Sequence, residues 1–304
     1  RLHGMSGIDS LVNALKCGKL LQCETLILNG NHIDDNAMTA FAGALGEKAL
    51  AQCKELRLDS NKISDKGLAA LSGALAIGAL ANCQKLVLSG NQIADKGLEA
   101  LSKTLAIGAM ARCTDIMLGG NPASDEAKKS VQLALKSRWL DGDFLAKNLS
   151  DVTDLNCSGL GWGDAEMTKL AAALEHCHAI GALAQCTFLS LSFNSIGYEG
   201  LEALSGALVK GALAQCTTLK LTFNKIGDKG LAALSGALAI GALAQCTVLA
   251  LNANQIGDVG MAAFAQAIKP VSEGGSGALA QCQTLYLSSN EIGDAGISAF
   301  ASAC

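Results

Sequence analysis

Cys53-Lys54-Glu55-Leu56-Arg57-Leu58-Asp59-Ser60-Asn61-Lys62-Ile63 is the stretch on which the architecture turns, because it recurs 30 residues later as Cys83, Leu86, Leu88, Asn91 and Ile93. A fixed period of a few tens of residues marks a repeat array. Further copies open at Cys23, Cys113, Cys186, Cys216, Cys246 and Cys282, and a degenerate one opens at Val152 with Leu155, Cys157, Leu160 and Trp162. In each copy the alternation of Leu56 and Leu58 puts two side chains on one face of a short strand. Leu68, Leu71 and Leu75, spaced by three and four, form one face of a helix. Asp65 stands where an N-cap would accept the first-turn N–H groups, and Gly78 stands where the helix should stop.

One such unit cannot fold alone. Its apolar anchors contribute roughly 1.5 to 3 kcal/mol each when buried, against about 1 to 2 kcal/mol for ordering the backbone of every residue. Stacking parallel strands about 4.8 Å apart buries neighbouring anchors against each other and builds a curved solenoid, strands inside and helices outside.

The pattern C-x-x-L-x-L-x-x-N-x-I resembles the leucine-rich-repeat consensus with cysteine in its first apolar place, over nearly the whole chain. The continuation Asp65-Lys66-Gly67-Leu68 is similar to the long helical repeats of the ribonuclease-inhibitor-like subclass. The resemblance implies an α/β leucine-rich-repeat solenoid, a horseshoe with parallel β-strands on the concave face and α-helices on the convex face. It also implies that Asn31, Asn61, Asn91, Asn121, Asn194, Asn224, Asn254 and Asn290 form a ladder bonding the turn backbone, since buried amides need such partners. Leu160 breaks that ladder.

Successive copies open 30 residues apart except from 113 to 152, 152 to 186 and 246 to 282. The excess falls between helix and following strand, at residues 141–151, 175–178 and 269–277, so all three insertions should emerge on one edge. Pro122 and the charged run Asp125-Glu126-Ala127-Lys128-Lys129 precede the longest interval. A boundary near residue 140 is expected, with a first array of a partial repeat plus four repeats over 1–140 and a second of five repeats over 141–304, stacked as a continuous or kinked solenoid. Ile8, Leu11, Leu15 and Leu20 match the helix of a repeat without its strand, and Ile297, Phe300 and Cys304 stop inside a helix. Solenoid ends normally carry polar caps, so these ends read as a fragment of a longer array or as surfaces that meet a partner or another copy.

Composition narrows the function classes. Half the residues are hydrophobic but only 4% aromatic, 34 are glycine, and the net charge of −4 comes from interspersed single charges. No basic surface for nucleic acid is expected. The apolar run from Leu68 to Ala81 is broken by Ser72, Gly73 and Gly78, short of the roughly 18 to 20 uninterrupted residues a membrane span needs. No secretory signal is read at Arg1. Of 12 cysteines, eight share one repeat position, where a buried apolar side chain belongs, and neither CxxC nor zinc-finger spacing occurs. A reduced, buried cysteine ladder and a cytoplasmic location are expected. Cys17, Cys157, Cys177 and Cys304 lie off the ladder and read as the more reactive thiols. His176-Cys177-His178 reads as a solvated loop, because adjacent donors in one short loop cannot close a tetrahedral metal site unaided. No metal, no cofactor and no catalytic constellation is expected.

Binding should fall to the outward strand positions. One column holds Ile27, Arg57, Val87, Met117, Asn156, Ser190, Lys220, Ala250 and Tyr286. A second holds Gly30, Ser60, Gly90, Gly120, Gly159, Phe193, Phe223, Ala253 and Ser289. Phe188, Phe193, Lys220, Phe223 and Tyr286 are the candidate partner-binding residues, because clustered exposed aromatics anchor interfaces. The alternative is that Phe193 and Phe223 fold back as edge packing. The family resemblance implies a non-catalytic protein-binding module or scaffold whose partner is a protein of unknown identity. It also admits a regulator of a small GTPase, as in activators of Ran, or a sensor segment of a larger receptor. Self-association through uncapped ends is the third class.

Overall fold

A computed structural model describes residues 5–46, 49–269 and 277–303. The chain forms two compact units, residues 1–138 and 139–304. In the first, a parallel sheet runs in chain order through β1 (Thr25–Ile27), β2 (Glu55–Arg57), β3 (Lys85–Val87) and β4 (Asp115–Met117). Its helices are α1 (Met5–Lys16), α2 (Asp35–Ala44), α3 (Asp65–Ala76), α4 (Asp95–Ala106) and α5 (Asp125–Lys136). The second unit has strands β5 (Asp154–Asn156), β6 (Phe188–Ser190), β7 (Thr218–Lys220), β8 (Val248–Ala250) and β9 (Thr284–Tyr286), again parallel and in chain order. Alternating with them are α6 (Gly142–Asn148), α7 (Asp164–Ala179), α8 (Tyr198–Val209), α9 (Gly227–Ala239), α10 (Asp258–Ile268) and α11 (Asp294–Ala301). Register is repeat on repeat: Leu56 pairs with Leu86, and Leu189 with Leu219.

The core lies between sheet and helices within each repeat. Leu56, Leu58 and Ile63 from the strand segment and Leu68, Leu71 and Leu75 from α3 are all fully buried. The asparagines bridge repeats. Asn61 Nδ2 donates to the carbonyls of Leu28 and Leu58, both at 2.9 Å, while its Oδ1 accepts from the N–H groups of Asn31 and Ile33 at 2.9 and 3.0 Å. One amide thus satisfies four backbone groups across two repeats.

The aspartates make a second ladder, and here the structure corrects the sequence reading. Asp65 does not cap its own helix: it is the first residue of α3, which is capped by Ser64. Its Oδ1 accepts from Ala94 and Gly97 of the following repeat at 2.8 and 2.9 Å. Asp35 holds Ser64 and Gly67 in the same way, and Asp164 holds Gly197 and Gly200. The cause is the stacking itself, which places each first-turn carboxylate against the N-terminus of the next helix, where N–H groups lack partners. Burial pushes the Asp35 carboxyl up, but hydrogen bonds from the Ser64 side chain and the Ser64 and Gly67 N–H groups hold it below its ordinary value. The glycine is required by space, since a Cβ on Gly97 would sit 2.7 Å from Asp65 Oδ1. Where alanine stands instead, at Ala127, the N–H turns to Ser124 Oγ and Asp95 bonds Ser124 alone.

Cys53, Cys83, Cys113, Cys186, Cys216 and Cys246 are buried, and each thiol donates to the carbonyl two residues ahead, as from Cys83 to Lys85 at 3.2 Å. Cys23 and Cys282, on the outermost strand segments of the two sheets, are partly exposed. Cys157 and Cys177 are not the open thiols expected: both are fully buried, Cys157 in the second inward place of its strand segment and Cys177 on the inner face of α7. Cys17 is exposed, and Cys304 lies outside the described residues. The His176-Cys177-His178 loop is likewise corrected, because the extra residues add a turn to α7, which spans 16 residues against 12 in α8. His176 Nε2 lies 3.0 Å from Asp143 Oδ1. The stretch expected as a first edge insertion contains α6, and the third, from Lys269 to Gly277, falls mostly outside the described residues.

Burial raises the ladder thiols, Cys53 to about 11 and Cys113 and Cys216 to about 12. The unfolded chain ionises them near 9, so their contribution to stability is complete below that pH and is lost as pH climbs through the folded values. Alkaline titration monitored by circular dichroism should therefore give cooperative unfolding between about pH 9 and 12, and Cys113→Val should move that transition upward. An unchanged transition would assign alkaline unfolding to other groups.

Candidate protein-binding face

The strand side of the second unit carries the candidate residues. Phe193 and Phe223 follow β6 and β7 by three residues, at equivalent places in adjacent repeats. Their rings stack at 4.8 Å between centroids and 15° between planes. They do not fold back as edge packing, since Phe193 remains 61% exposed and Phe223 53%.

A bulky side chain on a left-handed backbone sets this pair apart from the rest of its column. Every member of that column is left-handed: Gly30, Gly90, Gly120 and Gly159 at φ of 66° to 71°, but also Phe193 at 57° and Phe223 at 56°. A bulky residue there is an outlier, costing of order 1 to 3 kcal/mol. Positive φ recurs at exposed small or polar residues, among them His32, Ser60, Gln255 and Ser289, and at bulky apolar ones. Leu80, Leu213 and Leu243 also have φ near +56° to +57°, and each is at least nine-tenths buried in the core. Phe193 and Phe223 receive no comparable burial.

Phe188 opens β6, half-buried, and the Lys220 ammonium lies over its ring at 5.3 Å from the centroid. Tyr286 on β9 is 48% exposed. Thus Phe188, Lys220 and Tyr286 all reach the strand side. The outward column is not uniformly open, however: Val87, Ser190 and Ala250 are each 4 to 5% exposed. The reason is strand spacing. Parallel neighbours stand about 4.8 Å apart, so Ala250, paired with Lys220 on one side and Tyr286 on the other, is covered by both. Ser190 Oγ lies 2.7 Å from Ser158 Oγ.

Beside Phe223 an open groove of about 420 Å³ is lined by Lys225, Ala253, Gln255, Ser289 and Glu291 among others. The turn that follows Lys225 is irregular. Tyr198 occupies the place where neighbouring repeats have Asp164 and Asp228, so the following turn receives no carboxylate. Ile226 adopts helical angles, φ −64° and ψ −45°, and Gly227 N–H bonds the Asn254 carbonyl at 2.8 Å. Asn254 Oδ1 is left buried without a partner. Sequence reasoning named the five side chains but missed this turn, for which the Asp-to-Tyr change at 198 was the available signal.

Among the described residues no group of three His, Cys, Asp or Glu side chains gathers to hold a metal. No described helix is long and apolar enough to cross a membrane.

Comparison with known proteins adds the following. The family model described as "Leucine Rich repeat" matches residues 54–72, 84–102, 187–205, 217–235, 247–265 and 283–301, each running from a strand into its helix. Among solved structures, an internalin (inlF) from Listeria monocytogenes aligns at 16% identity over 98% of this chain and 92% of that one, with a TM-score of 0.33. That superposition bears on neither fold nor function. A search of curated proteins gives no match.

Proposed function

This chain is a leucine-rich-repeat protein, and we propose that it is a non-catalytic protein-binding module that engages its partner through the strand side of residues 141–304. Leucine-rich repeats generally mediate protein–protein interaction. The observation that carries the reading is the pair Phe193 and Phe223, strained in backbone, stacked and more than half exposed. Strain retained without internal return points to function at that place, and exposed aromatics are the side chains that anchor interfaces. Phe188, Lys220 and Tyr286 extend the surface to either side. A scaffold role needs no chemistry, and the charged residues of β5 to β9 are one cation, Lys220, and one carboxylate, Asp154. The full helix in each repeat supports the ribonuclease-inhibitor-like subclass. The column of buried thiols is compatible with a reducing, cytoplasmic setting.

The test is capture from lysate by the intact chain beside a Phe193→Ala/Phe223→Ala variant, after circular dichroism shows equal folding. Proteins retained by the intact chain and lost by the variant support the reading. An identical set from both overturns it.

A further inference from the structure

The cations in and immediately before the first unit's strands are paired: Lys54 with Glu24 at 3.0 Å, Arg57 with Asp59 at 3.3 Å, and Lys85 with Glu55 at 3.8 Å. The second unit differs. Across β5 to β9 the charged residues are Asp154, at the start of the first strand, and Lys220, in the third of five. Lys220 is exposed, and among the described residues no carboxylate lies within ion-pair distance; its contact is the Phe188 ring. Around it stand Ser190, Thr218 and Ala250, neutral and small, and beyond them Tyr286 and the Phe193–Phe223 stack.

A partner that covers the aromatics also takes water from Lys220. An ammonium stripped of water without an anion is costly, and one phenyl face does not replace its hydration. The occupant must therefore supply a negative group. A phosphate dianion calls for several donors or an arginine fork; here Lys220 is the one cation on β5 to β9, and beside the stack Lys225 is accompanied by Glu291, a surface matched to one carboxylate at Lys220. Nucleic acid would need many more cations. The stack begins three residues beyond Lys220, about 10 Å along an extended chain.

Building on the proposed binding face, we infer that its occupant is a protein segment presenting one carboxylate to Lys220 and, roughly 10 Å away, a planar apolar side chain to the Phe193–Phe223 stack. Lys220 then acts as a selectivity gate, favouring acidic segments by rejecting neutral and basic ones.

The test uses displayed random-sequence linear peptides, selected in parallel on the intact chain, Lys220→Met, Lys220→Glu and Phe193→Gly/Phe223→Gly, each checked for folding by circular dichroism. Peptides from the intact chain should combine an acidic with an aromatic or proline residue, and replacing the acid by its amide should weaken binding about tenfold. On Lys220→Met that ratio should fall to about one, and Lys220→Glu should select Lys or Arg instead. Aromatic enrichment that the glycine variant loses, without acid enrichment on the intact chain, would overturn the lysine assignment while leaving the binding face standing. Selection that the glycine variant leaves unchanged, or none on any protein, would overturn both.

Discussion

Replacing Phe193 and Phe223 together by glycine is expected to weaken partner capture at least about tenfold while changing folding stability by no more than about 1 kcal/mol. The two effects have separate origins. A large aromatic removed from a packed core costs about 3 to 5 kcal/mol, but these rings are 61% and 53% exposed and stack on each other. Losing their stack costs roughly 0.5 to 1.5 kcal/mol. Against that, glycine takes φ near +57° without the clash that phenylalanine suffers, a gain of about 1 to 2 kcal/mol per site. Part of this gain is returned through the extra freedom of glycine in the unfolded chain. The terms nearly cancel, whereas in a bound complex the two rings would be the central anchors. Chemical denaturation and capture, measured on the same preparations, check both halves. A loss of several kcal/mol would mean that the pair is structural, and retained capture at unchanged stability would leave the strain without a purpose.

The repeat was legible because its determinants are local and recur. Leu56, Leu58, Asn61 and Ile63 fix a strand and a turn wherever they occur, and stacking leaves them one arrangement. Candidate site residues could be chosen by type, since few aromatics interrupt a chain that is 4% aromatic. Their backbone strain was also written in the sequence: four glycines share the column of Phe193 and Phe223, and glycine recurring at one repeat position signals a left-handed turn. What stayed hidden depended on distances between repeats. Asp65 looks like the cap of its own helix when one repeat is considered, and becomes the brace of the next only when Ala94 and Gly97 are brought beside it. Ser190 and Ala250 look outward by alternation and are covered by longer side chains on adjoining strands. Cys177 looks like part of a loop because four inserted residues can equally extend a helix by about one turn, and here they extend α7.

Tyr198→Asp is expected to stabilise the chain by about 1 to 2 kcal/mol, an uncommon sign for a single substitution. The carboxylate would lie where Asp164 and Asp228 lie in neighbouring repeats, facing the N–H groups that open α9. Two charge-assisted hydrogen bonds at a helix N-terminus supply the gain. What is lost is the exposed contact of Tyr198 with Lys229, 5.2 Å from ring centroid to ammonium, worth roughly 0.5 to 1 kcal/mol, and the solvent-exposed hydrogen bond that its hydroxyl donates to Glu199 at 3.0 Å. Space permits the change, since Gly230 already occupies the place where alanine would crowd an aspartate. With the turn drawn back, Ile226 can leave its helical angles and offer its N–H to Asn254 Oδ1, as Ile196 does to Asn224 at 3.1 Å. The reverse substitution within the intact ladder, Asp164→Tyr, should destabilise by a similar amount, because Gly197 and Gly200 would each lose an acceptor. Urea denaturation of both variants reads the difference directly. If Tyr198→Asp is neutral or destabilising, the turn is held by contacts other than the missing brace. If it is stabilising, the ladder carries its aspartate-to-tyrosine break at the turn beside Phe223 and Lys225 at a measurable cost to the fold, as expected where a local rule is broken for the sake of a working surface.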